Sequence, residues 1–207
     1  MKCMYGTLIC VDCGKEVQRL GSKQIRCPEC QRRHKVKMTS ERRHANYMKQ
    51  KGEEMLVLRE GDLVNSKFKI FCQQVNCKGV MGAGLAKQIK EKYPEVYRDY
   101  KFGCMYHNNL LGTIQPVETH DGSVCVNMFA QDGYGRDKCY TDYSAFKKCL
   151  NKIKVLLEEQ HLDPNAEIAF PYGIGCGLAG GDWNRIREML REFAEDIPNK
   201  VVLVKKV

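Results

Sequence analysis

The chain has 207 residues and a formal net charge of +9 at pH 7, and 43% of its residues are hydrophobic and 29% are charged. This composition is ordinary for a globular protein with a packed core and argues against intrinsic disorder, and the length allows a medium domain plus a small one. No apolar run approaches the roughly 20 residues of a transmembrane helix, and the first residues lack a signal-peptide pattern, so we expect a cytoplasmic protein without membrane contact.

The positive charge is concentrated at the N-terminus. Residues 1–54 contain 13 Lys or Arg against 6 Asp or Glu, which accounts for +7 of the net charge of +9. Basic residues in such excess indicate contact with a polyanion such as nucleic acid, because neutralising phosphates releases their counterions. A solvated surface that keeps the protein soluble is an equally good interpretation.

Four of the 12 cysteines stand in two C-x-x-C pairs, Cys10 with Cys13 and Cys27 with Cys30. Each pair can present two thiolates from a tight turn, and four thiolates complete the tetrahedral shell of a structural Zn²⁺. We therefore predict a zinc ribbon over residues 1–38, with a hairpin formed by residues 17–20 and 24–26. A redox dithiol and four unrelated buried cysteines are the alternatives, but two pairs in so short a polar segment favour a metal.

The segment after the ribbon is polar and basic, with little apolar periodicity. This pattern predicts a linker over residues 39–54 that carries a short helix from about Ser40.

From Met55 the sequence alternates between strand-like and helical patterns, which predicts one domain over residues 55–207. We predict strands at 55–59, 68–75, 110–118, 123–129, 166–170 and 200–205, and helices at 83–93, 94–100, 141–160 and 182–195. This alternation indicates an α/β fold whose mixed, largely parallel sheet has helices on both faces.

Two glycine-rich segments, residues 75–86 and 171–183, each follow a predicted strand and lead into a helix. Glycines at such junctions let backbone N–H groups converge on an anion, and the helix N-terminus adds partial positive charge. Ligands of open α/β sheets bind beyond the carboxyl ends of the strands, so two facing loops could hold a diphosphate. The chain has neither a Walker nor a Rossmann glycine motif, which argues against hydrolysis of nucleoside triphosphates.

The order of these motifs resembles the macro domain family, particularly its terminal ADP-ribose glycohydrolase-like and phage-type ADP-ribose 1''-phosphate phosphatase branch. The likeness covers residues 55–207 and lies in four segments: Gly61-Asp62-Leu63, Val75-Asn76, Met81-Gly82-Ala83-Gly84-Leu85-Ala86 and Ile174-Gly175-Cys176-Gly177-Leu178. The resemblance implies a three-layer α/β/α sandwich and an ADP-ribose ligand.

The resemblance also assigns ligand contacts by position. It implies that Asp62 accepts a hydrogen bond from the adenine amino group and that Asn76 lies near the distal ribose. The alternative for Asp62 is a helix cap or turn former after Gly61, and the alternative for Asn76 is a turn-forming residue. The other implied contacts are Leu63, Gly82, Ala83, Gly84 and Leu85 before and in the first helix, and Gly173, Ile174, Gly175, Cys176, Gly177 and Leu178 in the second loop.

Catalysis is implied less directly. The glycohydrolase-like branch uses a lysine where this chain has Gln131, and an aspartate where it has Ala179. These departures disfavour a covalent lysine mechanism. We therefore predict slow hydrolysis of an ADP-ribose derivative by water, with Asn76, Gln131 and Asp182 as catalytic residues. A helix cap is at least as good an interpretation of Asp182.

Three functions remain open at this point. The first is a hydrolase that releases ADP-ribose from a macromolecule or phosphate from its terminal ribose. The second is a reader that binds ADP-ribose without reaction, with the ribbon selecting the carrier. The third is a ribbon that binds nucleic acid, with the macro domain as a sensor.

Overall fold

The computed structural model describes residues 6–18, 21, 23–159 and 165–207. The chain divides into two compact units, Met1–Lys49 and Gln50–Val207. No helix in the described part of the chain is both long and apolar enough to cross a membrane.

The first unit begins with a small antiparallel hairpin. Strand β1 (Thr7–Ile9) pairs with β2 (Glu16–Gln18), so the hairpin encloses the first cysteine pair. The predicted hairpin was wrong, because residues 24–26 lie outside any strand; residues 19, 20 and 22 of that prediction lie outside the described residues. The first C-x-x-C turn itself connects the strands, closed by a 2.8 Å hydrogen bond from the Gly14 N–H to the Cys10 carbonyl.

Helix α1 (Pro28–Met55) starts twelve residues before the predicted short helix near Ser40. Its start has local causes: Pro28 fits the first helical turn, where its missing N–H is not needed, and the Cys30 N–H points to the Cys27 Sγ at 3.5 Å. Ion pairs four residues apart then support a helix that has no apolar stripe.

The second unit is built on a six-stranded sheet with the order β3-β8-β7-β4-β6-β5. All neighbouring strands are parallel except the antiparallel pair β5 and β6, so the predicted mixed, mostly parallel sheet is confirmed. The strands are β3 (Leu56–Glu60), β4 (Ile70–Asn76), β5 (Ile114–Glu118), β6 (Val124–Gln131), β7 (Ile168–Pro171) and β8 (Val201–Lys205).

Four helices cover the two faces of this sheet. They are α2 (Gly84–Lys92), α3 (Pro94–Tyr106), α4 (Tyr143–Glu159) and α5 (Trp183–Asp196). Successive side chains of β4 point to opposite faces: Ile70 and Cys72 pack with α4 and α5, and Phe71 packs with α2 and α3. The predicted three-layer α/β/α sandwich therefore follows from strands that are apolar on both sides.

Two boundaries differ from the predicted ones. Helix α3 continues to Tyr106 rather than ending at Tyr100, and β5 begins at Ile114 rather than at residue 110. The difference at β5 comes from a tight turn, in which Asn109 and Gly112 have φ values of 66° and 80° and the Thr113 N–H donates to the Leu110 carbonyl.

Candidate functional site

A cavity of about 580 Å³ lies at the carboxyl ends of the neighbouring strands β4 and β7. Both glycine-rich segments line it, so the structure brings together the two loops that the sequence predicted to face each other. Its lining consists of residues 73–76, 80, 82–86, 131, 134–136, 171–175 and 177–179. This position agrees with the general location of ligand sites in open α/β sheets.

The second loop depends on glycine for its conformation. Gly173 and Gly175 both have a φ of 73°, in the left-handed region that other residues rarely adopt. A Cβ on Gly175 would lie 2.5 Å from the Gln74 Oε1, so a side chain there would displace that amide. Thr141 fixes the loop, because its hydroxyl donates to the Gly175 carbonyl at 2.6 Å. By contrast, a Cβ at Gly173 or Gly177 would meet no atom within 4 Å.

Asn76 holds the first loop in place. Its Oδ1 accepts hydrogen bonds from the Lys78 N–H at 2.9 Å and the Tyr100 hydroxyl at 2.8 Å, and its Nδ2 donates to the Val80 carbonyl at 2.7 Å. The side chain is 6% exposed. Asn76 lines the cavity as predicted, but its amide is engaged within the loop, which favours the turn-forming interpretation of this residue.

Gln131 lies in the cavity as part of a network of amides. Its Oε1 accepts from the Gln74 Nε2 at 2.9 Å, and its own Nε2 donates to the Gly133 carbonyl at 2.9 Å. The Gln74 Nε2 also donates to the Thr141 hydroxyl at 2.9 Å. The buried Gln74 Oε1 has no hydrogen-bond partner among the described residues. A water or a ligand hydroxyl that donated to this oxygen would remove the cost of leaving it unpaired.

Asp62 and Leu63 are not among the described residues that line the cavity. The Asp62 carboxylate accepts hydrogen bonds from the Val64 N–H at 2.9 Å and the Asn65 side-chain amide at 3.1 Å. Burial alone would raise its pKa, but these hydrogen bonds hold the pKa of Asp62 below its ordinary value. Leu63 is buried in the hydrophobic core with α2. The geometry of Asp62 thus matches the turn-forming alternative.

Asp182 and Cys176 also lie outside the described cavity lining. The Asp182 carboxylate accepts the Asn184 N–H at 2.9 Å and caps helix α5. The Cys176 thiol points to the Ile174 carbonyl at 3.3 Å, and burial raises its pKa to about 11, so it is a neutral thiol at pH 7. The structure therefore does not bring Asp182 together with Asn76 and Gln131.

Sequence reasoning missed several residues of the cavity. They are Gln73, Gln74, Tyr134, Arg136 and Tyr172. Gln73 and Gln74 could have been found from the sequence, because two consecutive glutamines are unusual within a mostly apolar strand. Tyr172 also packs against Trp183, with ring centroids 4.6 Å apart, which gives the cavity an aromatic edge.

The ionisable groups of the cavity limit its chemistry. Among the described lining residues they are the two tyrosines and Arg136, with no carboxylate, histidine or lysine. The site offers backbone donors, side-chain amides and one guanidinium, which suit an anionic ligand. It presents no side chain with an ordinary pKa near neutrality to act as a general base.

The four N-terminal cysteines come together as the sequence predicted. Their sulfur atoms all lie within 4.8 Å of one another, and the Cys13 and Cys27 sulfurs are 3.8 Å apart. A tetrahedral site with Zn–S bonds of about 2.3 Å separates its sulfurs by about 3.8 Å, so the arrangement fits such an ion. Hydrogen bonds, the largest from the Cys27 backbone, lower the pKa of Cys10 to about 6, whereas hydrogen bonding with Cys27 and burial raise the pKa of Cys30 to about 12, because neighbouring thiols do not all ionise without a cation between them.

Comparison with known proteins agrees with this fold and site. Residues 72–190 match the family described as "Macro domain". The DNA ADP-ribosyl glycohydrolase of Mycobacterium tuberculosis is 28% identical over 147 residues, which are 70% of this chain and 40% of that protein. The ADP-ribose 1''-phosphate phosphatase of Saccharomyces cerevisiae is 27% identical over 154 residues, covering 62% of this chain and 86% of that protein. The chain therefore spans well under half of the glycohydrolase and most of the phosphatase.

Solved structures show the same fold. The macrodomain of Mycobacterium tuberculosis DarG superposes with a TM-score of 0.63 at 22% identity, covering 72% of this chain and 96% of that one. Thermosipho africanus DarTG in complex with ADP-ribose gives a TM-score of 0.61 at 19% identity, covering 72% of this chain and 41% of that one.

Proposed function

Because this chain belongs to the macro domain family, we propose that its cavity binds ADP-ribose and slowly hydrolyses an ADP-ribose derivative. One observation carries the proposal: two glycine-rich turns line a single cavity of about 580 Å³ at the carboxyl ends of β4 and β7. Backbone N–H groups of such turns suit the diphosphate, because they approach it closely and need no side chain. Arg136 adds a positive charge at the same cavity.

The predicted contacts differ in how well their positions support them. Gly82 to Leu85 and the second loop, apart from Cys176, line the cavity. The adenine contact of Asp62, and the contacts of Leu63 and Cys176, remain predictions that their positions outside this lining do not support. The similar Saccharomyces cerevisiae protein is an ADP-ribose 1''-phosphate phosphatase, and Thermosipho africanus DarTG has been solved in complex with ADP-ribose. These two relatives motivate the choice of ADP-ribose as the ligand here.

The substitution Gly177→Glu tests the binding site. Position 177 has no strained φ, and its Cβ would meet no atom within 4 Å, so a glutamate there places a negative charge in the cavity without disturbing the loop. We expect the affinity for ADP-ribose, measured by calorimetry, to fall at least 100-fold, since the carboxylate repels the diphosphate.

Gly21→Glu is the matched control. Gly21 also has an unstrained backbone and open space around its Cβ, and it belongs to the first unit. It should leave ADP-ribose affinity unchanged. Equal affinity of wild type and Gly177→Glu would mean that these turns do not hold the ligand.

The proposed hydrolysis uses water that the amides orient. Gln131 and Gln74 both line the cavity, so their amides are placed to orient a water molecule bound beside the ligand. No described lining residue is a base that titrates near neutrality, which is why we propose a slow, non-covalent reaction. Asn76 then acts by holding the loop, and Asp182 by capping α5.

Two substrates test this reaction, and the names of the relatives suggest them. ADP-ribosylated DNA would release ADP-ribose, and ADP-ribose 1''-phosphate would release phosphate. We expect slow turnover of one of them, because the described lining residues include no histidine, carboxylate or lysine to act as a general base. Asp182→Asn should keep that kcat, because asparagine caps a helix as well as aspartate does.

A reader without catalytic activity is the second candidate. The observation that favours it is the same lack of an ionisable base among the described lining residues. Tight ADP-ribose binding with no product from ADP-ribosylated DNA, ADP-ribosylated protein or ADP-ribose 1''-phosphate would establish this function in place of hydrolysis.

We further propose that the four cysteines hold a structural Zn²⁺. All ligands come from the protein, so the ion would have no open position for a substrate and would serve to fix the small first unit. We propose that the first unit, held together by this ion, selects the carrier of ADP-ribose.

A further inference from the structure

The charges of helix α1 are divided between two of its faces. Arg32, Lys35, Arg42 and Arg43 recur at intervals of three, seven and one residues, which places them within an arc of about 100° on a helix of 3.6 residues per turn. We call these four residues the basic stripe. They form no ion pair with any residue whose side chain the structure describes, and all four are exposed.

The face of the same helix centred about 150° from the stripe is neutralised. Glu29 pairs with Arg33 at 3.5 Å, and Lys37 pairs with Glu41 at 3.9 Å, each four residues apart. Two positive and two negative charges therefore cancel there, whereas the basic stripe keeps a charge of +4. The asymmetry lies between two faces of one helix, so it is not a general property of a soluble surface.

No residue of the first unit that the structure describes covers the basic stripe. Every residue from 31 to 43 is exposed, although Arg33, His34 and Lys37, on the other side of the helix, border the cysteine turn beside Asp12 and Cys13. On the helical projection Cys30 lies about 170° from the centre of the stripe, so the cysteine cluster is on the opposite side. Ion pairs four residues apart support such a polar helix, but the four residues of the stripe take no part in them, so helix stability does not account for the charge of the stripe.

We propose that the basic stripe binds the phosphate backbone of double-stranded DNA, with α1 lying in the major groove. The stripe spans about 16 Å along the helix axis, and a helix with side chains is about 10–12 Å wide, which matches the major groove width of about 12 Å. The deep, narrow major groove of an RNA duplex does not admit such a helix. Arginine, three of the four residues, donates paired hydrogen bonds to phosphate.

This binding does not depend on the cavity of the second unit. The stripe lies within residues 32–43 of the first unit, and the ADP-ribose cavity is lined entirely by residues of the second. Calorimetry with ADP-ribose on the same protein samples therefore separates a failure of this inference from a failure of the proposed function.

The test uses the full chain with zinc and a fluorescent 20-base-pair DNA duplex. Anisotropy titrations between 50 and 200 mM salt give both the affinity and its salt dependence. In a plot of the logarithm of the association constant against the logarithm of the salt concentration, four phosphate contacts predict a slope of about −3.6 or steeper. Replacing all four stripe residues by glutamine should remove about that much slope, with no change in ADP-ribose affinity.

Two double variants separate the stripe from net charge. Arg32→Gln with Lys35→Gln removes one arginine and one lysine from the stripe, and Arg33→Gln with Lys37→Gln removes the same pair of residue types from the neutralised face. We expect the stripe variant to lose at least ten-fold in affinity at 100 mM salt and the other less than three-fold. Zinc content and helicity are measured for both, because the Arg33 guanidinium lies 3.6 Å from the Cys30 sulfur.

Several results would overturn the inference. They are no binding of the duplex by wild type at 50 mM salt, equal losses in the two double variants with zinc retained, or tighter binding of an RNA duplex or of polyglutamate than of DNA. Loss of ADP-ribose binding alone, with the DNA results as expected, would count against the proposed function and leave the basic stripe supported.

Discussion

At the scale of single residues, glycines were easier to predict than polar side chains. A glycine between a strand and a helix has few uses, and Gly173 and Gly175 do adopt the positive φ that only glycine takes readily. Glutamine occurs in many structural roles, so no sequence pattern linked Gln74 with Gln131 and Thr141. Their contact depends on the pairing of β4 with β6 and on the path of the second loop.

Polar residues whose roles are implied only by the family resemblance are equally hard to assign from the sequence. Asp182 matches a short polar pattern before α5 that predicts a helix cap as readily as a catalytic group. The geometry favours the cap, because the carboxylate accepts the Asn184 N–H at 2.9 Å. Local hydrogen bonds of this kind compete for the same side chains that a catalytic site would use.

A residue-scale prediction concerns Asp121 in the hairpin between β5 and β6. Hydrogen bonds from Thr119, Tyr93 and Ser123 outweigh burial and lower the pKa of Asp121 below its ordinary value. A carboxyl whose pKa is lower in the folded state stabilises the fold above its unfolded pKa of about 3.9, and this contribution declines as the pH falls through the folded pKa. Asp121→Asn should therefore lower the free energy of unfolding by about 1 kcal/mol at pH 7.

Urea unfolding of both proteins between pH 7 and pH 2.5 checks this prediction. The difference between wild type and Asp121→Asn should be constant down to about pH 4 and then narrow. A difference that is the same at every pH would mean that the charge of Asp121 does not contribute.

At the scale of elements, periodic segments were predicted and aperiodic ones were not. Helices α4 and α5 have apolar residues at helical spacing, so their positions were found within two residues. Helix α1 has no such stripe, and it is supported by ion pairs and by the turn at Cys27 and Pro28. The three-residue strands β1 and β2 are too short for a pattern to appear.

The residues of the first unit that the structure describes form too small a core to fold on apolar packing alone. Its buried cluster consists of Leu8 and three of the cysteines, with Val17 packed against it. Small domains of this kind depend on a metal or on disulfides for stability. The cluster therefore predicts that the metal and the fold of this unit are lost together.

Cys27→Ser tests that dependence. Serine cannot replace a thiolate ligand, so we expect the zinc content, measured by mass spectrometry of the native protein, to fall from one to zero per chain. The affinity for ADP-ribose should change less than about two-fold, since the cavity belongs to the second unit. Cys139→Ser, an exposed cysteine outside the cluster, is the matched control. Retention of one zinc in Cys27→Ser would mean that the ligand set is wrong.

At the scale of the whole molecule, the alternation of strands and helices was enough to predict the layers of the second unit. A parallel strand needs a crossover helix to reach its neighbour, and crossovers on both faces require strands that are apolar on both sides. The order of the strands in the sheet could not be predicted from the sequence, because β3 pairs with β8 at the sheet edge and these strands come from opposite ends of the unit. Contacts so distant in sequence leave no local pattern.

The division into two units leads to a prediction about unfolding of the whole chain. The units have separate cores and separate sites, so we expect two transitions in calorimetry. ADP-ribose at 100 times its dissociation constant should stabilise one of them by about 2.7 kcal/mol, because it binds only the folded second unit. A zinc chelator should remove the transition of the first unit. The transition of the second unit should remain and should still be shifted by ADP-ribose. A single transition that both reagents shift would mean that the units unfold together.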